Sequence, residues 1–163
     1  MLTTDVVSLG AARTPIGKYG GSLRRIHPAE LGAVAARAAL HRTGVGPEDV
    51  DDVWIGHARQ AGSGPNPARQ VGRRAGLPDA VPAQTVNKAG ASGLQAIASG
   101  AQAIALGEAR AVVVGGIESR SPRWCGLAGA RVTSAVPSAR ARRVTPSWRR
   151  SVRRHEPTLL QRA

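Results

Sequence analysis

Between Thr85 and Gly116 the sequence reads TVNKAGASGLQAIASGAQAIALGEARAVVVGG. A short strand runs into a turn of small residues, the turn opens a long apolar helix, and the helix feeds a β-branched strand. This order puts Gly90 at the mouth of a helix, where backbone N–H groups and the positive end of the helix dipole favour a thiolate or an oxyanion. Such a position suits nucleophilic attack or oxyanion binding. Gly90 brings only its backbone to either.

No other residue takes over as the nucleophile. Ser92 lies two positions farther on, but GASGL is not the G-x-S-x-G elbow, and no histidine stands beside it in sequence. Ser92 is read as a turn or helix-start hydrogen bond. Lys88 is read as positioning the strand–helix turn, and Glu118, after Gly115 and Gly116, as bonding loop backbone near the site. Cys125 is the only cysteine, so no internal disulfide and no thiol-based metal site is expected; it reads as an inert free thiol. His27, His41, His57 and His155 are scattered without the spacing of a zinc or iron site.

The elements that must position this segment follow from Pro, Gly and apolar spacing. Val6–Leu9 reads as a first strand, followed by the Gly- and Pro-rich loop ARTPIGKYGGSL. Pro28 suits a first helical residue, and a helix then runs to Gly44 with Leu31, Val34, Ala35, Ala38 and Ala39 near helical spacing. Pro47-Glu48-Asp49 starts a helical turn ahead of a strand at Val53–Ile55. Asn66 caps a short basic helix over 67–75, closed by Gly76 and Pro78, in which Arg69 orders a loop or a subunit contact. Further strands are read at Thr85–Asn87 and Ala111–Val114, with a helix over 93–106 between them. Alternation of strands and helices predicts an α/β domain with a largely parallel sheet. The 93–106 helix has no charged residue; an apolar surface all round predicts burial on every side, beyond what a small two-layer domain provides.

The chain has 163 residues, enough for one ordinary domain. With three Trp, one Tyr and no Phe, its core must be built from Ala, Val, Leu and Ile. The net charge of +13 is uneven: residues 1–120 carry 13 Lys+Arg against 9 Asp+Glu, whereas 121–163 carry 10 Arg against Glu156 alone. Residues 122–163 alternate Arg, Ala, Ser and Pro without period and are expected to be a largely disordered basic tail. The tail has neither an amphipathic period nor an array of base-stacking aromatics, which argues against specific nucleic-acid binding. MLTTDVVSLG lacks the features of a signal peptide, and no segment approaches the roughly 20 apolar residues needed to span a bilayer. A cytoplasmic protein without membrane attachment is expected.

Four blocks, in order, resemble the thiolase family: SLGAARTPIGKYGGSL, QAGSGPNPARQ, TVNKAGASGLQAI and VVVGGIES. The family's active-site pattern is roughly V-N-K-x-C-[GA]-S-G-[LM]. Val86, Asn87, Lys88, Ala91, Ser92, Gly93 and Leu94 match it, and Gly90 stands where the family has its acyl-accepting cysteine. The resemblance covers residues 4–121. It implies the N-terminal half of a five-layer αβαβα fold, incomplete here, in which the 93–106 helix belongs to a central layer between two sheets. It also implies acyl transfer on coenzyme A thioesters, with acyl-CoA as substrate and no further cofactor. Arg13 and Lys18 would meet CoA phosphates or, as the plainer alternative, remain in a solvated loop.

The family's histidine, asparagine-bearing motif and second cysteine belong to a second half that these residues do not carry. A change of reading frame or a premature ending in a GC-rich gene would produce such a tail. The expected protein is therefore a thiolase-family acyltransferase segment with little or no activity, divided into 1–121 and 122–163. Exposed apolar surface would favour homo-oligomers. A non-catalytic acyl-CoA- or lipid-binding relative and a basic nucleic-acid-binding protein are the alternatives.

Overall fold

A computed structural model describes residues 5–121. The reading of 122–163 as a disordered tail, and of Cys125 as an inert thiol, lies outside them. Three helices and three strands alternate: α1 (Pro28–Thr43), β1 (Asp52–Gly56), α2 (Pro67–Ala75), β2 (Ala83–Val86), α3 (Ser92–Ala105) and β3 (Val112–Gly116), with 3₁₀ turns at Ser22–Arg25 and Pro47–Asp49. The strands form a parallel sheet in the order β2-β1-β3. Parallel neighbours need crossovers, and each of α2 and α3 supplies one.

The helix ends lie where local chemistry stops them. Pro28 opens α1 behind His27, whose Nδ1 accepts the Ala29 N–H at 3.1 Å, and Gly44 closes it at φ 71°. Asn66 caps α2 by accepting the Arg69 N–H at 3.2 Å. Asp51 ties the start of β1 to the start of β3: its Oδ2 accepts the N–H groups of Arg110 and Ala111 at 2.7 and 3.1 Å. These bonds hold the Asp51 carboxyl below its ordinary pKa.

Period-two alternation divides the sheet into two faces. Val53, Ile55 and Val113 pack on one face with Ala29, Ala33, Ala68 and Val71 from α1 and α2. Val112 and Val114 lie on the other face, against Gly100 of α3. The described residues thus form three layers, α1 and α2, then the sheet, then α3. Their core is aliphatic, as the composition requires.

One predicted strand is absent from the sheet. Residues 5–18 carry no regular secondary structure, so Val6–Leu9 is a correction. Its segment is held by the C-terminal end of α1, where Arg42 Nη1 donates to Ala11 O at 2.9 Å and Thr43 crowds Gly10. An apolar groove of about 540 Å³ along the outer edge of β3 has this segment on its far wall. Four apolar residues express a strand tendency, but a strand exists only where a ladder partner is within reach. β2 also begins two residues earlier than read, at Ala83 rather than Thr85.

The all-round burial expected for α3 is realised on one side only. Ser92, Ala96, Gly100 and Ala103 are buried. Leu94 is 72% exposed and Leu106 63%, so the outward side is apolar and uncovered by the described residues. No described helix is long and apolar enough to cross a membrane.

Candidate active site

The C-terminal ends of the strands of a parallel sheet are where open α/β folds place their ligands, and α3 starts there. It comes unusually close. A Cβ added to Gly56 would lie 2.2 Å from the Ser92 carbonyl carbon, and one added to Gly116 would lie 3.3 Å from Gly93 Cα. Glycines at the ends of β1 and β3, with Gly93 in the first turn of α3, let backbone meet backbone and bring the helix mouth onto the sheet edge.

The turn from β2 into α3 is wired by its own side chains. Asn87 Oδ1 accepts the Ala89 N–H at 3.2 Å while Asn87 Nδ2 donates to Ala58 O at 3.0 Å. Ser92 Oγ accepts the Lys88 N–H at 2.9 Å and donates to Ala89 O at 2.6 Å. Lys88 Nζ donates to Gln95 Oε1 at 2.8 Å. Ala89 sits at φ 49°, a left-handed conformation that costs an L-residue about 1–2 kcal/mol. Gly90 has no positive φ, and a Cβ built on it would meet nothing within 4 Å. The strained backbone therefore belongs to Ala89, and position 90 has room for a side chain.

Gly90 opens onto a cleft of about 590 Å³ shared with Asn87, Gly116, Glu118, Arg59 and Arg120. Glu118 Oε2 accepts the Arg59 N–H at 3.2 Å. Behind Glu118 stands His57, 1% exposed, its Nε2 3.8 Å from Glu118 Oε1. Burial pushes the His57 imidazole below its ordinary value, and the Glu118 carboxylate opposes that only in part. Among the described residues no cluster of His, Cys, Asp and Glu is arranged to hold a metal.

Gly90, Ser92 and Glu118 line one cleft; Ser92 makes turn hydrogen bonds and Glu118 accepts a loop N–H, while Lys88 lies in the turn beside them with its ammonium on Gln95. Arg69 orders a loop, donating to Val81 O at 2.7 Å and Asp79 O at 2.6 Å. Arg13 and Lys18 are exposed, and neither lines the cleft. Sequence reasoning missed His57, Arg59 and Arg120. The available signal was position: His57 and Arg59 follow the C-terminal end of β1, and Arg120 follows β3.

A strand–turn–helix that aims one position at an open cleft, on a parallel sheet with close-packed glycines, is the α/β scaffold of this site. The family model for the thiolase N-terminal domain matches residues 6–146, continuing past Ser121 into residues beyond those described. The chain belongs to the thiolase family. It is 53% identical over 128 residues to the acetyl-CoA acetyltransferase of Cupriavidus necator, covering 78% of this chain and 33% of that protein. It is 46% identical over 121 residues to the acetyl-CoA acetyltransferase of Schizosaccharomyces pombe, covering 74% and 31%. The crystal structure of the Bacillus anthracis acetyl-CoA acetyltransferase superposes with a TM-score of 0.67 at 41% identity, covering 70% of this chain and 29% of that one. The chain therefore spans about a third of the length of the relatives it matches.

Proposed function

We propose that these 163 residues keep the acyl-acceptor end of a thiolase-type acyltransferase site, acting on acyl-CoA of the acetoacetyl-CoA or 3-ketoacyl-CoA class, and that as they stand they turn over little or nothing. The observation that carries this is Gly90: it occupies the helix-mouth position over the cleft, with open space where a side chain would project. A thiol there would be lowered in pKa by the helix end and would attack the 3-keto carbonyl; the C2–C3 bond then breaks, the acyl group stays on sulfur, and acetyl-CoA leaves as an enolate that takes up a proton. Glycine leaves backbone N–H groups that favour an oxyanion and no atom to acylate. Loss of a covalent nucleophile costs on the order of 10⁶-fold in rate.

Thiolysis of acetoacetyl-CoA, followed on the purified chain and on Gly90→Cys, tests the proposal. Neither is expected to turn over appreciably, because two thirds of the length of the relatives has no counterpart in these residues. Turnover by the unsubstituted chain would overturn the reading of Gly90, and turnover by Gly90→Cys alone would show that these residues suffice once the thiol returns. A second reading, a non-catalytic acyl-CoA binder, is favoured by the open cleft with Arg59 and Arg120 on its wall. Titration calorimetry with CoA decides it, saturable binding supporting that reading. The exposed apolar side of α3 further suggests self-association.

A further inference from the structure

We propose that Ser92 is the positioning residue of this site. In this proposal the turn it closes holds position 90 in the field of α3 whichever residue stands there. The inference rests on the reading of position 90 as the acyl-accepting position and adds which group aims it.

Three observations converge on Ser92. Its hydroxyl is 4% exposed as a residue and used in both directions, accepting the Lys88 N–H and donating to Ala89 O. Those two bonds bracket Lys88 and Ala89, the latter held at φ 49°. A left-handed alanine persists only where its surroundings over-determine it; the Asn87 bond to the Ala89 N–H and the backbone bonds Ala91 N–H to Lys88 O and Ser92 N–H to Ala89 O are the other clamps. None of these bonds uses a side chain at position 90, and the space above it is open. The aiming geometry is therefore independent of the atom that would react. With its proton given to Ala89 O, the Ser92 hydroxyl has none left for a thiolate, so it acts through the backbone.

The test uses the full chain in a Cys125→Ser background, with Gly90→Cys as reporter and iodoacetamide as probe, the labelling rate being read against pH. A thiol set in the helix mouth is expected to label with a midpoint below the value of about 8.5 for free cysteine. Adding Ser92→Ala is expected to raise the midpoint towards 8.5 and slow labelling at pH 7 by about tenfold, with the circular dichroism unchanged; Ser92→Thr, which keeps the hydroxyl, restores the low midpoint. Arg59, Glu118, Arg120 and Lys88 are common to all variants, so their charges cancel in the comparison. An unchanged midpoint in Ser92→Ala overturns the positioning role and leaves the reading of position 90 intact. A midpoint near 8.5 in Gly90→Cys itself overturns both. Should Ser92→Ala not fold, hydrogen exchange at the Lys88 amide of the unsubstituted chain decides: protection supports the Ser92 bond, and exchange at the unprotected rate removes it.

Discussion

The two faces of one sheet are built on different principles. On the α1–α2 face, alanines and branched side chains interlock, both helices have side-chain N-caps, and the core residues are close to fully buried. On the α3 face, the contact is made by absence: Gly56, Gly93, Gly100 and Gly116 remove side chains so that helix and sheet touch. α3 has no side-chain N-cap on the residue before it, and its outer side is uncovered by the described residues. The first face supplies cohesion. The second brings a helix mouth against the sheet, backbone on backbone, at the cost of side-chain packing.

The largest expected effect breaks this contrast at its tightest point. Gly56→Ala drives a methyl into the Ser92 backbone and is expected to cost about 3 kcal/mol in urea unfolding, the upper end of ordinary overpacking. An Ala→Gly change on the other face, at Ala33, would instead be a modest loss of about 1 kcal/mol. Next comes Asn66→Ala, which removes the cap of α2 and the Asn66 Nδ2 bond to Ala83 O. A cost of about 1–2 kcal/mol is expected by the same measurement.

Much of this was legible beforehand. Pro28, Pro67, Gly44 and Gly76 mark helix ends through their own conformational limits, so α1 and α2 could be placed to within a residue or two. The small-residue turn before an uncharged helix located Gly90. Other features are tertiary. Gly56 and Gly116 looked like ordinary strand-end glycines, because nothing local states that a helix backbone will lie on them. Ala89 gave no sign of its positive φ, since alanine is not a residue that advertises one. Val6–Leu9 carried a strand pattern without a partner, and His57 was one of several scattered histidines until the fold set it behind Glu118.

The pH dependence sharpens the same contrast at the cleft. His57 has its pKa lowered on folding from an ordinary value of 6.5. The unfolded chain therefore binds the proton first, and the stability that the neutral ring confers is full above that value and is lost as pH falls through the window below it. His27, lowered by burial and by Arg74, works in the same direction. Urea midpoints between pH 7.5 and pH 5 should therefore fall, and His57→Gln should flatten part of the slope; a slope unchanged by His57→Gln would remove His57 from the account. A smaller effect is expected at the outer side of α3. Leu94→Lys should leave stability within about 0.5 kcal/mol while shifting sedimentation toward monomer, and an unshifted distribution would show that this side is not the sticky one.

The central claim is that glycine at position 90 answers no need of the backbone, unlike Gly56, Gly93 and Gly116 at the contact of helix and sheet. Urea unfolding of Gly90→Cys beside Gly56→Ala tests it most directly. The account predicts that Gly90→Cys stays within about 0.5 kcal/mol of the parent chain while Gly56→Ala loses several times that. Destabilisation of Gly90→Cys as large as that of Gly56→Ala would contradict it.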